Sequence, residues 1–214
     1  MKCSLCDQRK AKRYCPAKYT HICAQCCGEK RVLEIDCPES CQFLKAGRDR
    51  EAQEFGKRLR SLDPITQERN RRILLDNQDT VAFLEYTISR ERILNRHLTD
   101  EDVARAIDVL LATYKTEAKG VIYETTSEDL RVESVRRELR AVVESLRNPE
   151  GKEGKGIVDP KSSRLTLIAA IDCLEYIRSL VTIFMKDRNS STGYVDFLAR
   201  VTPRQETRSS IIMP

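Results

Sequence analysis

The cysteines are distributed very unevenly along this chain of 214 residues. Eight of the nine lie within the first 41 residues, and the ninth, Cys173, stands far from the others. About forty residues with few apolar side chains cannot form a stable core of their own, so their fold depends on cross-links or on bound metal. The cysteines therefore separate an N-terminal segment, residues 1–44, from a longer remainder.

The compartment decides between disulfides and metal. No apolar run follows Met1, so we expect no secretory signal and a cytoplasmic protein. The most apolar stretch, residues 165–185, contains Asp172, Glu175 and Arg178, so we expect no membrane span. Thiols stay reduced in the cytoplasm, and clustered cysteines there bind metal more often than they form disulfides.

The spacing of the cysteines predicts zinc. Two CxxC pairs, Cys3 with Cys6 and Cys23 with Cys26, place two thiolates each on a tight turn facing one ion. Soft thiolate ligands in tetrahedral geometry favour Zn²⁺, and an iron–sulfur cluster is the alternative. Eight cysteines supply two sites of four ligands, and the predicted ligands are Cys3, Cys6, Cys15, Cys23, Cys26, Cys27, Cys37 and Cys41.

We expect the ligands to divide between the two zinc ions in an interleaved way. The predicted first site comprises Cys3, Cys6, Cys23 and Cys26, and the second comprises Cys15, Cys37, Cys41 and one further ligand. Cys27 is favoured for that last position, because it follows a ligand of the first site and its side chain should point elsewhere. His21, two residues before Cys23, is the alternative ligand.

Three segments carry a resemblance to a known group of domains. Residues 3–6 (CSLC), 14–16 (YCP) and 21–26 (HICAQC) resemble the cross-brace zinc fingers of the HIT, MYND and B-box type, over residues 1–44 only. HIT-type fingers place a cysteine where this chain has Lys18, and a histidine before their final cysteine. The resemblance implies interleaved zinc ligands and a protein-interaction or assembly module.

The sequence offers little that indicates catalysis. A catalytic zinc ion keeps one coordination position open, whereas eight cysteines for two ions close both sites. The chain has only two histidines, His21 and His97, and no nucleophile motif stands out. We therefore expect a protein that is not an enzyme and has no small-molecule substrate. Thiol redox chemistry at Cys26 and Cys27 is the enzymatic alternative.

The remainder of the chain reads as helical. We predict a mainly α protein, in which the small two-zinc finger is followed by an irregular bundle of about five to six helices. The predicted domains are residues 1–44 for the finger, 45–202 for the bundle and 203–214 for a flexible tail. Predicted helix starts are Asp63-Pro64, Thr99, residues 127–129, Asp159-Pro160 and Tyr194, with a break or bend at 76–79 and a connector at 149–156.

Charge leaves two hypotheses about partners. The net charge is +5, and residues 1–45 contribute +4 of it. Eight ligating thiolates and two Zn²⁺ ions together carry −4, which offsets that excess. A closed metal module joined to a substantial helical body with no chemical site favours the leading hypothesis, a non-enzymatic adaptor or regulatory protein that binds a protein partner through its finger and helical body. The alternative is a nucleic-acid-binding protein that uses Arg9, Lys10, Lys12 and Arg13.

Overall fold

The computed structural model describes residues 1–121, 123–148, 164–186 and 190–203. Two short strands and seven helices lie in these ranges, which confirms the predicted mainly α fold. They are β1 (Arg13–Cys15), β2 (Thr20–Ile22), α1 (Ala24–Lys30), α2 (Gln42–Arg60), α3 (Pro64–Leu94), α4 (Asp100–Glu117), α5 (Leu130–Arg147), α6 (Leu167–Met185) and α7 (Gly193–Val201). Within the described ranges, no helix combines the length and apolar composition needed to cross a membrane.

The chain forms two compact units. The first comprises Met1–Glu54 and Arg200–Pro214, and the second comprises Phe55–Ala199. The division falls inside α2 and inside α7, so both helices belong to two units. The predicted domain boundary after residue 44 stays a prediction. The predicted connector at 149–156 lies outside the described residues, as does the tail beyond residue 203.

An antiparallel hairpin opens the first unit. β1 pairs with β2 so that Tyr14 lies opposite His21 and Cys15 lies opposite Thr20. Side chains alternate between the faces of a strand, so Cys15 and Ile22 point inward and are buried, while Tyr14 and His21 are exposed on the outer face. The hairpin therefore delivers one cysteine to the interior.

A small apolar core supports the cysteines. The sequence suggests Val32, Leu33, Ile35, Phe43 and Leu44 for this core. Val32, Ile35 and Leu44 are buried, Phe43 packs against the buried cysteines from the edge, and Leu33 is half-buried. So few apolar side chains make a thin core, consistent with a unit whose stability depends on something besides apolar burial.

An ion pair fastens α2 to the segment that follows α1. Arg31 Nη2 donates to Glu51 Oε1 at 2.5 Å, and both side chains are largely buried. The Arg31 guanidinium lies against the backbone of α2 at Gly47, where a Cβ would come within 1.4 Å of Arg31 Nη1. Glycine at position 47 thus makes room for the charged group.

Helices α3 to α6 form the body of the second unit. Helix α4 packs against α5 and α6, and α3 packs against the same two helices. The starts predicted for α3 and α4 are confirmed: the Asp63 side chain accepts from Thr66 N, and Thr99 and Asp102 form a reciprocal capping box. Helix α3 is kinked at Asn77, where φ is −138°, inside the predicted break.

The start predicted for the last long helix is wrong. Residues 159–163 lie outside the described part of the chain, but residues 164–166 are not helical, and α6 begins at Leu167. The Thr166 hydroxyl accepts from Ala169 N, whereas Leu165 N donates to Leu146 O at the end of α5. Thr166 therefore provides the cap, because the preceding backbone bonds to another helix.

Helix α7 is held by a carboxylate from α4 and by an aromatic cluster. Both Asp100 oxygens accept from Tyr194 N, at 3.0 and 3.1 Å, and one also accepts from Val195 N at 3.0 Å. Phe55 and Phe184 pack with Phe197, with ring centroids 4.8 to 5.7 Å apart. The second unit thus closes on its C-terminal helix through polar and apolar contacts.

Candidate metal centre

Four sulfurs converge at one point in the first unit. The Sγ atoms of two pairs, Cys3 with Cys6 and Cys23 with Cys26, all lie within 4.8 Å of one another. No other group of His, Cys, Asp and Glu side chains in the described ranges meets at this distance in a geometry that can hold a metal. Three of the four residues are buried and Cys6 is half-buried. This cluster can hold a metal ion.

The backbone turns its N–H groups toward these sulfurs. Cys23 N donates to Cys3 Sγ at 3.1 Å, and Cys26 N donates to Cys23 Sγ at 3.3 Å. The second bond also caps α1, because Cys23 is the residue before the helix begins. Amide donors aimed at sulfur favour the thiolate form, which is the form that binds metal.

The pKa values within the cluster diverge. Burial opposes ionisation of Cys3, but the N–H groups of Cys23, Leu5 and Cys6 outweigh it and lower the pKa of that thiol to about 6. Burial and the neighbouring sulfurs raise the pKa of the Cys26 thiol to about 12. Four adjacent thiolates repel one another, and a bound cation removes that repulsion.

Arg9 lies beside the same sulfurs. Its Nη1 atom is 3.6 Å from Cys6 Sγ and 3.9 Å from each of Cys23 Sγ and Cys26 Sγ. The contact with Cys23 and the charges of the nearby sulfurs raise the pKa of the guanidinium. A cation therefore already faces three of the four sulfur ligands.

The donor set fits a tetrahedral thiophilic ion. A Zn–S bond length of about 2.3 Å places the sulfurs of a tetrahedral site about 3.8 Å apart, inside the spread of this cluster. Four sulfur donors suit Zn²⁺ or iron and disfavour Mg²⁺ and Ca²⁺, which prefer oxygen. All four donors belong to the protein, so a tetrahedral ion here has no position left for substrate.

The four remaining N-terminal cysteines line one small cavity. Cys15 enters from the hairpin, Cys27 from α1, and Cys37 and Cys41 from the segment before α2. Burial raises the pKa of the Cys37 thiol, and the charges of Cys41, Cys15 and Cys27 add to the effect, while Val32 N–H opposes it. The cavity therefore gathers these side chains, although more loosely than the first cluster.

The alternative ligand lies on a different surface. His21 is exposed on the outer face of the hairpin, where its ring meets Tyr14 edge-on with centroids 5.5 Å apart. Cys27 lines the cavity, and His21 is not among the residues that line it. The geometry thus favours Cys27 over His21 as the companion of Cys15.

The residues proposed for nucleic acid divide between two roles. Arg9 faces the sulfur cluster, and the Arg13 guanidinium lies over the Phe43 ring at 4.8 Å. Lys10 and Lys12 are exposed. The structure thus turns both arginines of the basic run toward the protein and leaves the two lysines at the surface.

Cys173 takes no part in either group. It lies on α6 in the second unit and is fully buried. Burial raises the pKa of its thiol to about 12, so it stays protonated and unreactive. The inert buried thiol expected from its apolar surroundings is what the structure contains.

Sequence reasoning missed two residues that act on the sulfurs. The basic run that Arg9 begins predicts a contact with nucleic acid, whereas Arg9 contacts the sulfurs through a turn that spacing does not reveal. Val32 is buried in the left-handed region at φ +65° and directs its N–H at Cys37. A β-branched residue gives no sequence signal for that conformation.

No family model, curated protein or solved structure matches this chain. The likeness to cross-brace fingers therefore rests on motif spacing and on the convergence of Cys3, Cys6, Cys23 and Cys26.

Proposed function

We propose that this protein is a zinc-binding, non-enzymatic adaptor whose N-terminal unit is stabilised by metal and contacts a protein partner. The observation that carries the proposal is the four-sulfur cluster of the first unit, with its amide donors and its closed ligand set. Binding of metal to thiolates supplies folding free energy to a unit with a thin core.

Zinc is the metal that the chemistry of the cluster supports. Zn²⁺ takes four thiolates in structural sites, has no redox chemistry of its own and needs no geometry beyond a tetrahedron. Four thiolates around Zn²⁺ carry a net charge of −2, and the donors from Cys23 N, Cys26 N and Arg9 stabilise that charge. The ion contributes charge neutralisation and cross-linking, not catalysis.

A second zinc ion completes the proposal. Cys15, Cys27, Cys37 and Cys41 supply four thiolates around one cavity, and each of the other three affects the charge of Cys37. Val32 aims its N–H at Cys37 from a left-handed conformation, which costs roughly 1–3 kcal/mol and so indicates a local constraint. We infer that zinc draws these sulfurs to about 3.8 Å from one another.

The outer face of the hairpin supports a role in protein binding. Tyr19 at the hairpin tip is 85% exposed, at φ +51°, and Tyr14 and His21 are exposed beside it. Tyrosine is enriched at the energetic centres of protein interfaces. Residues 8–28 include no Asp or Glu, and Lys10, Lys12 and Lys18 are exposed within this segment. A partner with an acidic surface fits this face.

The zinc count tests the metal part of the proposal. Native mass spectrometry of protein purified without chelator should show two zinc ions, and Cys3→Ser and Cys15→Ser should each retain one. Cys173→Ser is the matched control and should retain two, because that thiol is buried in the second unit. A wild-type protein that takes up no zinc would overturn the proposal, and a single ion lost only in Cys3→Ser would restrict it to the first site.

The adaptor role is tested with the zinc-loaded protein as bait in an extract of its source cells. Tyr19→Asn removes the exposed ring, and asparagine tolerates a left-handed conformation. Tyr123→Asn is the control, because Tyr123 is an exposed tyrosine of the second unit. A specific partner lost only with Tyr19→Asn, with zinc retained, supports the proposal, and identical capture by both variants contradicts the role of the hairpin.

Nucleic acid is the alternative partner of the same face. Lys10, Lys12 and Lys18 are exposed in the same stretch of sequence as the exposed Tyr14 and Tyr19, and such side chains can bind phosphates and stack with bases. Binding to single-stranded RNA or DNA at micromolar protein, falling steeply as salt rises, would replace the adaptor proposal with this one. Binding that is weak and insensitive to salt leaves the protein partner as the function.

A further inference from the structure

We propose that Arg9 controls how firmly the first site holds its metal, by supplying a counter-charge and hydrogen-bond donors to the coordinated thiolates. This inference rests on the proposed zinc site and concerns a residue that sequence spacing does not assign to it. One guanidinium nitrogen lies within 3.9 Å of three of the four sulfurs. Because of these contacts, Arg9 acts on the metal through the sulfur ligands and not by binding the metal itself.

The backbone fixes the position of Arg9. Cys3 N donates to Arg9 O at 2.8 Å, so the residue is tied to the first ligand of the cluster. Asp7 reverses the chain between them at φ +51°, and Asp7 N donates to Cys3 O at 2.8 Å. The turn therefore brings the side chain of Arg9 back to the sulfurs of Cys6, Cys23 and Cys26.

Electrostatics gives the contact its effect. A zinc ion with four thiolates carries −2, and a guanidinium beside the sulfurs removes half of that excess. Donors around metal ligands change metal affinity by about 10- to 100-fold when they are removed. Arg9 lies at the surface, where solvent screens charge, so the lower end of that range applies.

Three variants separate charge, hydrogen bonding and general effects. Arg9→Ala removes the positive charge and the hydrogen-bond donors. Arg9→Lys keeps the charge but loses the planar set of guanidinium donors. Lys12→Ala removes an equal charge from the same basic run. Lys12 is exposed, and among the described residues it is the Arg9 side chain, not that of Lys12, that donates to the sulfurs. Circular dichroism of the zinc-loaded proteins verifies that each variant is folded.

The first experiment measures two quantities: the rate at which zinc is released to a chromogenic chelator, and the zinc affinity from competition with that chelator. Arg9→Ala should lower the affinity of one site about 10-fold and speed release from it, while Arg9→Lys restores part of the loss. Lys12→Ala should match the wild type. Equal affinity and release in Arg9→Ala and the wild type would overturn the inference while leaving the zinc site intact, whereas a wild type without zinc would overturn the site itself.

The second measurement reports the sulfurs directly. Co²⁺ in the wild-type protein should show a sulfur-to-cobalt charge-transfer band in the ultraviolet. Hydrogen bonds to thiolate lower the energy of the sulfur electrons, so losing Arg9 should move the band to longer wavelength. Lys12→Ala should leave it in place. A band unchanged in Arg9→Ala would show that the guanidinium does not act on the ligands, whatever the stability of the variant.

Discussion

At the scale of single residues, the first unit contains unusual backbone conformations beside its cysteines. Among the described residues, Asp7, Tyr19 and Val32 are the non-glycine residues with positive φ, and all three lie in this unit. Asp7 turns the chain toward Arg9, and Val32 directs an amide at Cys37. Such conformations persist only where surrounding contacts compensate their cost, and sulfurs held by the proposed metal ions would provide such contacts.

Two glycines of α2 should respond in opposite ways to alanine. Gly47→Ala should destabilise the protein by about 1 kcal/mol or more, because the new Cβ displaces the Arg31 guanidinium from the ion pair with Glu51. Gly56→Ala should stabilise it by up to about 1 kcal/mol, because its nearest neighbour is the flexible end of Arg60 at 3.3 Å. Urea unfolding of the zinc-loaded proteins measures both changes, and equal effects would contradict the role of Gly47.

At the scale of elements, the helix ends divide into those set by neighbouring residues and those set by distant ones. Asp63 and Thr99 cap their own helices, so their sequences predict α3 and α4. The amides at the start of α7 instead bond to Asp100, 94 residues earlier in the chain. No local pattern could have revealed that cap.

Loss of the Asp100 carboxylate should weaken the second unit. Asp100→Ala leaves the buried amides of Tyr194 and Val195 without their acceptor, and we expect a loss of about 2 kcal/mol in the free energy of unfolding. Glu101→Ala is the control, because that exposed neighbour lies in the same first turn and should change stability by about 0.5 kcal/mol. Comparable losses in the two variants, measured by urea unfolding, would argue against the cap.

A half-buried carboxyl on α3, that of Glu85, accepts a hydrogen bond from Tyr194 on α7 and should make stability depend on pH. Burial raises the pKa of Glu85 from 4.5 to about 6, although the Tyr194 hydroxyl donates to it at 3.1 Å. The folded-state pKa lies above the unfolded value, so the folded protein binds the proton first as pH falls. The unfavourable contribution is therefore full above pH 6 and fades toward pH 4.5.

Glu85→Gln should remove this penalty. At pH 7.5 the variant should be more stable than the wild type by up to about 2 kcal/mol, and the difference should shrink at pH 5. Taking the difference between two proteins under the same conditions cancels pH effects elsewhere, including those on the cysteines. A stability difference that is the same at both pH values would mean that Glu85 does not titrate in this range.

At the scale of the whole molecule, the two units differ in what stabilises them. The first unit contains eight cysteines and a thin core, whereas the second buries the apolar faces of α3 to α6 against one another. Apolar burial of that kind supports a helical domain without metal. Metal dependence should therefore be confined to the first unit.

Chelation should separate the units experimentally. Zinc removal should unfold residues 1–44, because so small a core cannot replace the cross-links that the metal provides, while most of the helical signal remains. Circular dichroism reports the helices, and hydrogen exchange locates the loss of protection. Metal analysis that finds no zinc in a purified protein with a protected N-terminal segment would contradict this prediction.

Features that depend on near neighbours along the chain could be predicted from the residues alone. The CxxC pairs, the starts of α3 and α4, and the bend near Asn77 all follow from residues a few positions apart. These features could be predicted because a tight turn or a cap is a local interaction.

Contacts between groups far apart along the chain follow from its packing and could not be predicted in this way. The packing turns Arg9 onto the sulfurs, places Cys27 and not His21 in the cavity that Cys15 lines, and begins α6 at Leu167. The packing also places the Arg31 guanidinium against Gly47, where a side chain would collide with it. Each outcome depends on the packing of segments far apart in sequence, so the choice of partner is made by the fold and not by the spacing of residues.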